Sequence, residues 1–293
     1  MDRFVLFTVN GFATGAIYAS VALALVIIWR ATRVLNFAQG AQAVASAYVA
    51  WSVTDATGSF WLGFLAAILA GVVLGALIQL TVFRKAESMP PLNTVIIGVG
   101  LLVLIQAVLG WLYPTPPERT LETAFDTDKI SVGDLNLVSP QDLFVLGSVL
   151  AAMVLLGFVM TRTPVGLRMR AAAFAPDTAR LMGVRVSRML TLGWALAGAT
   201  GALAALLAVH EPTLLTPSAM DLVFVLGFTA AVVGGLDSPV GAVVGGVAVG
   251  LALSFTTGYL GSELREPIAL VLLVVVLLVK PEGLFSSVRA RRV

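Results

Sequence analysis

Cysteine is absent from this 293-residue chain, so it can form neither a disulfide nor a thiolate metal site, and its redox compartment stays open. Histidine occurs once, at His210, which excludes a histidine-based metal cluster. No G-x-x-x-x-G-K-S/T stretch is present, so a nucleotide phosphate cannot be cradled by that route. The chain therefore reads as one that binds no metal and no cofactor of its own. Charge is also scarce: 12% of residues are charged, where a soluble domain carries about 25%. The formal net charge of +2 is too small to point to a nucleic-acid partner. His210 could be grouped with Asp221 and a nearby serine as a hydrolytic triad. A lone His at the end of a span is more simply an amphipathic side chain at headgroup level.

What the chain has in excess is hydrocarbon. Hydrophobic residues make up 59% of it, and the mean hydropathy is +0.99. This is the composition of an all-α polytopic membrane protein. A helix needs about 20 apolar residues to cross a bilayer. Apolar runs of roughly that length lie near 4–28, 60–83, 92–113, 141–160 and 189–209, with three shorter or interrupted ones near 35–53, 220–235 and 240–257 and a last one near 266–280. Together they predict about nine crossings in a single membrane domain spanning 1–293. The runs are continuous rather than alternating, which argues against a β-barrel. The first run is too long for a secretory h-region and lacks a small-residue cleavage site, so it is expected to be retained as a span.

The arginines orient these spans. Arg162, Arg168, Arg170, Arg180, Arg185 and Arg188 crowd the 162–188 connection against one acid, Asp177. Arg30 and Arg33, Arg84 and Lys85, and the C-terminal Arg289, Arg291 and Arg292 form three further basic segments. Basic connections stay in the cytoplasm. All four segments fall there if the N-terminus is external, the C-terminus is cytoplasmic, and 35–53 crosses fully. The acidic segment 114–140, rich in Pro and Thr, is then outside.

Inside the spans the polar residues are neutral: Asn10, Asn36, Gln39, Gln42, Gln79 and Gln106. No charge sits near the middle of a span, whereas ion- and proton-driven carriers usually mark their pathway with one. The glycine pairs 11/15, 71/75, 241/245 and 246/250 are each spaced four apart, a pattern that lets two apolar helices approach closely within the bundle. G-G-L-D-S-P-V-G-A at 234–242 reads as a tight cytoplasmic turn, with Pro239 opening the next helix. P-D-T-A-R-L-M-G at 176–183 reads as a two-turn helix. Pro176 suits its first position, Asp177 complements its positive end, and Gly183 can take the left-handed closing conformation. So short a helix is unstable alone in water and should dock on something.

Several of these blocks occur together in a known family. N-G-F-A-T-G-A-I-Y-A-S-V-A-L-A at 10–24 is followed by V-L-N-F-A-Q-G at 34–40, L-M-G-V-R-V-S-R at 181–188, V-V-G-G-L-D-S-P-V-G-A-V-V-G-G at 232–246 and K-P-E-G-L-F at 280–285. In content and order they resemble the inner-membrane permeases of branched-chain amino acid ABC transporters, of the LivH type. The resemblance implies a type II-like importer bundle with a short cytoplasmic coupling helix. It also implies a second permease of the LivM type, cytoplasmic ATPase subunits that use the ATP, an extracytoplasmic solute-binding protein, and a bacterial inner-membrane location. One departure is that Gln39 stands where the family usually has His, which keeps a hydrogen-bonding side chain and removes a titratable one.

The same resemblance sets Asn36, Phe37, Gln39 and Gly40 beside the translocation pathway. It sets the coupling to the ATPase on Arg170, Asp177, Arg180, Leu181, Met182, Gly183 and Arg188, with Leu181 and Met182 as apolar contacts and Arg180, Arg185 and Arg188 framing them. Two readings of Asn36 and Gln39 stay open. They can line the path around a broken helix, or form interhelical hydrogen bonds worth roughly 1 kcal/mol or less each. At the level of the whole chain, the alternatives are a self-contained channel or carrier for a small neutral solute such as urea or an amide, and a membrane scaffold.

Overall fold

Prolines and hydroxyls set where the helices of this chain begin. The computed structural model describes residues 2–86, 89–114, 118–128, 130–132, 135–210, 213–280 and 283–285. In chain order these form α1 (Asp2–Thr32), α2 (Gln39–Thr57), α3 (Phe60–Ile78), a π turn (Gln79–Phe83) leading into α4 (Arg84–Ala86), α5 (Pro91–Leu112), strands β1 (Ile130–Val132) and β2 (Leu135–Val138), α6 (Pro140–Arg162), α7 (Pro164–Phe174), α8 (Pro176–Leu181), α9 (Val186–Ala208), α10 (Asp221–Gly234), α11 (Pro239–Tyr259), a 3-10 turn (Ser262–Leu264) and α12 (Arg265–Val279). Five of them, α5, α6, α7, α8 and α11, carry Pro at the first or second helical position, where its missing N–H costs nothing. Ser139 caps α6 reciprocally with Asp142, and Thr163 and Ser238 cap α7 and α11.

Helices occur at all nine places where apolar runs predict crossings. Six are long and apolar enough to span a membrane: 3–32, 60–86, 92–112, 140–162, 186–208 and 239–259. The other three are α2 with 19 residues, α10 with 14 and α12 with 15. α2 is diluted by amides and hydroxyls, and α10 is cut short at the Gly234–Gly235 pair, where Gly235 has a φ of 98°. The run at 240–257, expected to be shorter or interrupted, lies in a continuous helix of 21 residues. Between α5 and α6, β1 and β2 pair as a small antiparallel hairpin within the segment expected to be external.

α1 and α9 form the centre, with 78% of each apolar stretch buried, while α5 lies at the rim with 11%. α1 runs antiparallel to α11: Gly11 abuts Leu251, Gly15 abuts Val247, and Gly246 abuts Ala19. The backbones of α3 and α9 touch where Gly71 meets Gly198, and a Cβ on either would collide with the other's carbonyl. That contact gives α3 and α9 the close approach that lipid, lacking a hydrophobic drive, cannot enforce. Across the bundle Ser254 donates to the Phe7 carbonyl at 2.7 Å, and Arg265 donates to the Tyr18 hydroxyl.

Seven arginines, Arg30, Arg33, Arg84, Arg170, Arg180, Arg185 and Arg188, collect at one end of the bundle. Arg33, at the end of α1, pairs with Asp237 in the α10–α11 turn at 2.5 Å. At the opposite end Arg119 lies over the rings of Trp51 and Tyr113, at 5.0 and 5.6 Å, and its carbonyl accepts from the Leu215 N–H.

Candidate functional site

The break between α1 and α2 starts at Arg33, whose φ of 58° lies in the left-handed region that a non-glycine residue seldom takes. Six residues later the chain is helical again at Gln39. Within this break the backbone loses its helical partners, and the amides replace them. The Asn36 side-chain oxygen accepts from the Ala38 N–H at 3.0 Å, which closes a local turn. The Asn36 amide donates to the Gln39 Oε1 at 3.0 Å and, more weakly, to the Gln42 Oε1 at 3.4 Å. Gln39 in turn donates to the Ala197 carbonyl of α9 at 3.0 Å, and Gln42 reaches the Gly71 carbonyl of α3 at 3.5 Å. All three amides are at most 1% exposed.

This network explains how neutral polar residues persist in an apolar core, because each amide has partners and none is left to pay a desolvation penalty. It also defines which residues act together. Asn36 and Gln39 join Gln42, which the sequence marked only as polar. Phe37 and Gly40 face elsewhere. The Phe37 ring lies 6.4 Å from Phe228 of α10, and a Cβ on Gly40 would sit 3.1 Å from the Phe224 Cβ. The small residues of α9 complete the site, since side chains at Gly198 or Gly201 would run into the Gln42 and Gln39 amides. The spacing of glycines in G-W-A-L-A-G-A-T-G at 193–201 was the available signal for that approach.

The other face of the break is open. Val34 and Leu35 line a cavity of about 510 Å³ between the ends of α1 and α3 and the starts of α5 and α9. Gln79 and Phe83, the first and last residues of the π turn, are also in its wall. The Arg84 N–H donates to the Gln79 carbonyl five residues back, the signature of a π turn, a feature that is frequent at functional sites.

The predicted helix at 176–183 is α8, six residues long, with Met182 and Gly183 closing it. Gly183 has a φ of 80°, and the Val184 N–H reaches back to the Ala179 carbonyl at 2.9 Å, as in a Schellman closure. Ala179 is the buried contact of α8, packed in a small cluster with Ala172, Val186 and Leu190. Leu181 and Met182 are 88% and 80% exposed. Asp177 pairs with Arg180 at 2.8 Å on the surface. Arg180, Arg185 and Arg188 share a hollow with Arg84, while Arg170 lies apart from them, in a second hollow with Arg30, Arg33 and Asp237.

Comparison with known proteins places this architecture. The family model described as "Branched-chain amino acid transport system / permease component" matches residues 7–279. The high-affinity branched-chain amino acid transport system permease protein LivH of Salmonella typhimurium is 25% identical over 296 residues, covering 97% of this chain and 96% of its own. LivH of Escherichia coli K12 is 26% identical over 300 residues, and BraD of Pseudomonas aeruginosa 25% over 297, each with the same coverage. A solved structure described as an inward-facing conformation of a metal-chelate type ABC transporter aligns with a TM-score of 0.53 at 19% identity, covering 93% of this chain and 85% of that one, which is a likeness of fold. With the family match running through nearly every helix of the bundle, from α1 to the end of α12, the chain belongs to the permease components of branched-chain amino acid transport systems.

Proposed function

We propose that this chain is a permease subunit of an ABC importer that carries branched-chain amino acids, or related small solutes, into a bacterial cell across the inner membrane. The chain lies with its N-terminus outside and its basic end in the cytoplasm. α2, α10 and α12 complete nine crossings by packing against longer helices. The partners are a second permease of the LivM type, separate ATPase subunits that bind and hydrolyse the ATP, an extracytoplasmic solute-binding protein, and membrane lipid. The chain itself holds no cofactor.

The observation that carries this reading is α8. A capped short helix at the basic end holds two large apolar side chains out of the protein. Exposed apolar side chains of that size, rimmed by Arg180, Arg185 and Arg188, fit the groove of another protein better than water. α8 docks there, and α6 and α9 on either side of the connection carry its movement into the bundle. Asn36, Phe37, Gln39 and Gly40, at the break between α1 and α2, border the solute path.

The test is purification and transport. Co-expressed with a LivM-type permease and the ATPase subunits of such a system, the chain is expected to co-elute with both and to support ATP-dependent leucine uptake in proteoliposomes. Leu181→Asp is expected to lose ATPase co-elution while still inserting in the membrane. Solute flux through liposomes that contain this chain alone would instead establish a self-contained channel or carrier.

A further inference from the structure

One carboxylate of this chain lies much deeper than its place in the sequence suggests. Asp221 opens the apolar run of α10 and so reads as an end residue. The packing puts that end inside the bundle. A Cβ on Gly40, the second residue of α2, would sit 3.5 Å from the Met220 carbonyl oxygen and 3.1 Å from the Phe224 Cβ. α10 therefore begins level with the start of α2, which continues to Thr57, about 25 Å further along the helix. The segment ahead of α10 dips in to meet it: the Tyr48 hydroxyl of α2 donates to the Leu215 carbonyl at 3.1 Å. On its other side Asp221 meets Gln106 of α5, whose amide donates to both carboxylate oxygens, at 2.9 and 3.1 Å. Gln106 lies five residues inward of Trp111, about 8 Å along α5. Trp111 is 80% exposed, an aromatic side chain of the kind that marks the membrane interface.

A carboxylate at that depth is costly in lipid, and such groups face a charged partner or a water-filled path. Among the described residues the Gln106 amide is its side-chain partner, and Asp221 is otherwise exposed. A neutral amide leaves the charge uncompensated. Inward of the pair, the face between α5 and α10 is apolar. One and two turns along α10 come Phe224 and Phe228, and two turns along α5 comes Gly98. Phe37, from the break between α1 and α2, closes the gap between them. Its ring lies 6.4 Å from that of Phe228, and a Cβ on Gly98 would sit 3.5 Å from the Phe37 Cβ. All three phenylalanines are half-buried, so each keeps part of its ring open. A negative group thus stands at the outer end of an aromatic wall.

We infer that Asp221 receives the ammonium group of the transported solute, a small apolar α-amino acid whose hydrocarbon side chain lies against Phe224, Phe228 and Phe37. The inference rests on the transport reading above and names the group in this chain that meets the solute. An ammonium group completes what the Gln106 amide cannot, because it brings the opposite charge together with its donors. Phe37 belongs both to this wall and to the break between α1 and α2, so a shift at the break changes the site directly.

The experiment is ATP-driven uptake of radiolabelled L-leucine by the complete transporter in proteoliposomes, with leucine-loaded solute-binding protein at saturation. Asp221→Asn keeps an acceptor for Gln106 and removes only the charge. It is expected to lower uptake about tenfold or more, the scale of one hydrogen bond to a charged group, while the complex keeps its second permease on size exclusion. Asp221→Glu, which restores the carboxylate, is expected to recover most of the uptake. Gln106→Leu, which removes the neutral donor alone, is expected to cost only a few-fold. Wild-type uptake in Asp221→Asn overturns the site. Equal losses in Asp221→Asn and Gln106→Leu also overturn it, because the pair is then a tie between α5 and α10. Loss of the second permease from Asp221→Asn overturns it in favour of an interface between the two permeases. With uptake present in the wild-type complex, any of these three results condemns the site alone. Uptake absent from the wild-type complex condemns the transport reading, and this site with it.

Discussion

Replacing Gly183 with valine tests the short helix α8 at its least replaceable backbone position. Gly183 closes the helix with a φ of 80°, and nothing lies within 4 Å of where a Cβ would be. The penalty is therefore conformational and not a clash. An L-residue in the left-handed region costs about 1–2 kcal/mol, and a β-branched one lies at the top of that range. The strained closure also endangers the bonds from Gly183 to the Arg180 carbonyl and from Val184 to the Ala179 carbonyl, at 3.0 and 2.9 Å. A six-residue helix has little else to hold it, because its one buried side chain is Ala179. At about 1.4 kcal/mol per factor of ten, a loss near 2 kcal/mol lowers the population of the formed helix roughly 30-fold relative to its frayed state. The expected result is membrane insertion at the wild-type level, a marked loss of ATPase co-purification, and uptake reduced by at least an order of magnitude. Gly183→Asn is the control, since Asn tolerates the left-handed region, and it should recover most of the activity. Full ATPase binding and full uptake in Gly183→Val would refute the reasoning and remove α8 as the coupling element.

Three further outcomes are expected. Because the chain has no native cysteine, Arg180→Cys should react with an impermeant maleimide only from the cytoplasmic face, and Glu122→Cys only from outside; labelling of position 180 from outside would invert the topology. Gln39→Leu leaves the Asn36 amide and the Ala197 carbonyl each short of a partner, and should lower the stability of the solubilised protein by about 1 kcal/mol in a thermal or denaturant titration, with no change meaning that the network is dispensable. Gly198→Val pushes a branched side chain into the Gly71 backbone and should separate α3 from α9, giving an aggregated species on size exclusion; a monodisperse, normally folded variant would show that the close approach is not needed.

The local features were legible in the sequence because they depend on neighbours along the chain. Helices occur wherever the apolar runs lie, and α8 starts at Pro176 and closes at Gly183 because proline and glycine act on their own backbone torsions. The glycine spacings likewise announced close packing, since a missing Cβ is a fact of composition. Family membership was visible too, because its motifs keep their order from residue 10 to residue 285.

What tertiary structure alone decided was which groups meet. Asn36 and Gln39 read as polar residues at a helix break. Whether they faced a path or a partner depended on the Ala197 carbonyl, 158 residues from Gln39, and on Gly71, which is 29 residues from Gln42. No local pattern encodes a hydrogen bond to a distant backbone carbonyl. The length of α2 was read as a crossing from its apolar content, yet its 19 residues carry the amides that tie it to α3 and α9. The wall of the cavity beside the helix break followed the same rule. Trp29 and Trp194 sit on α1 and α9, far apart in sequence, and look like ordinary apolar residues of two spans. Only the packing of those spans around a π turn at Gln79 put both on one cavity.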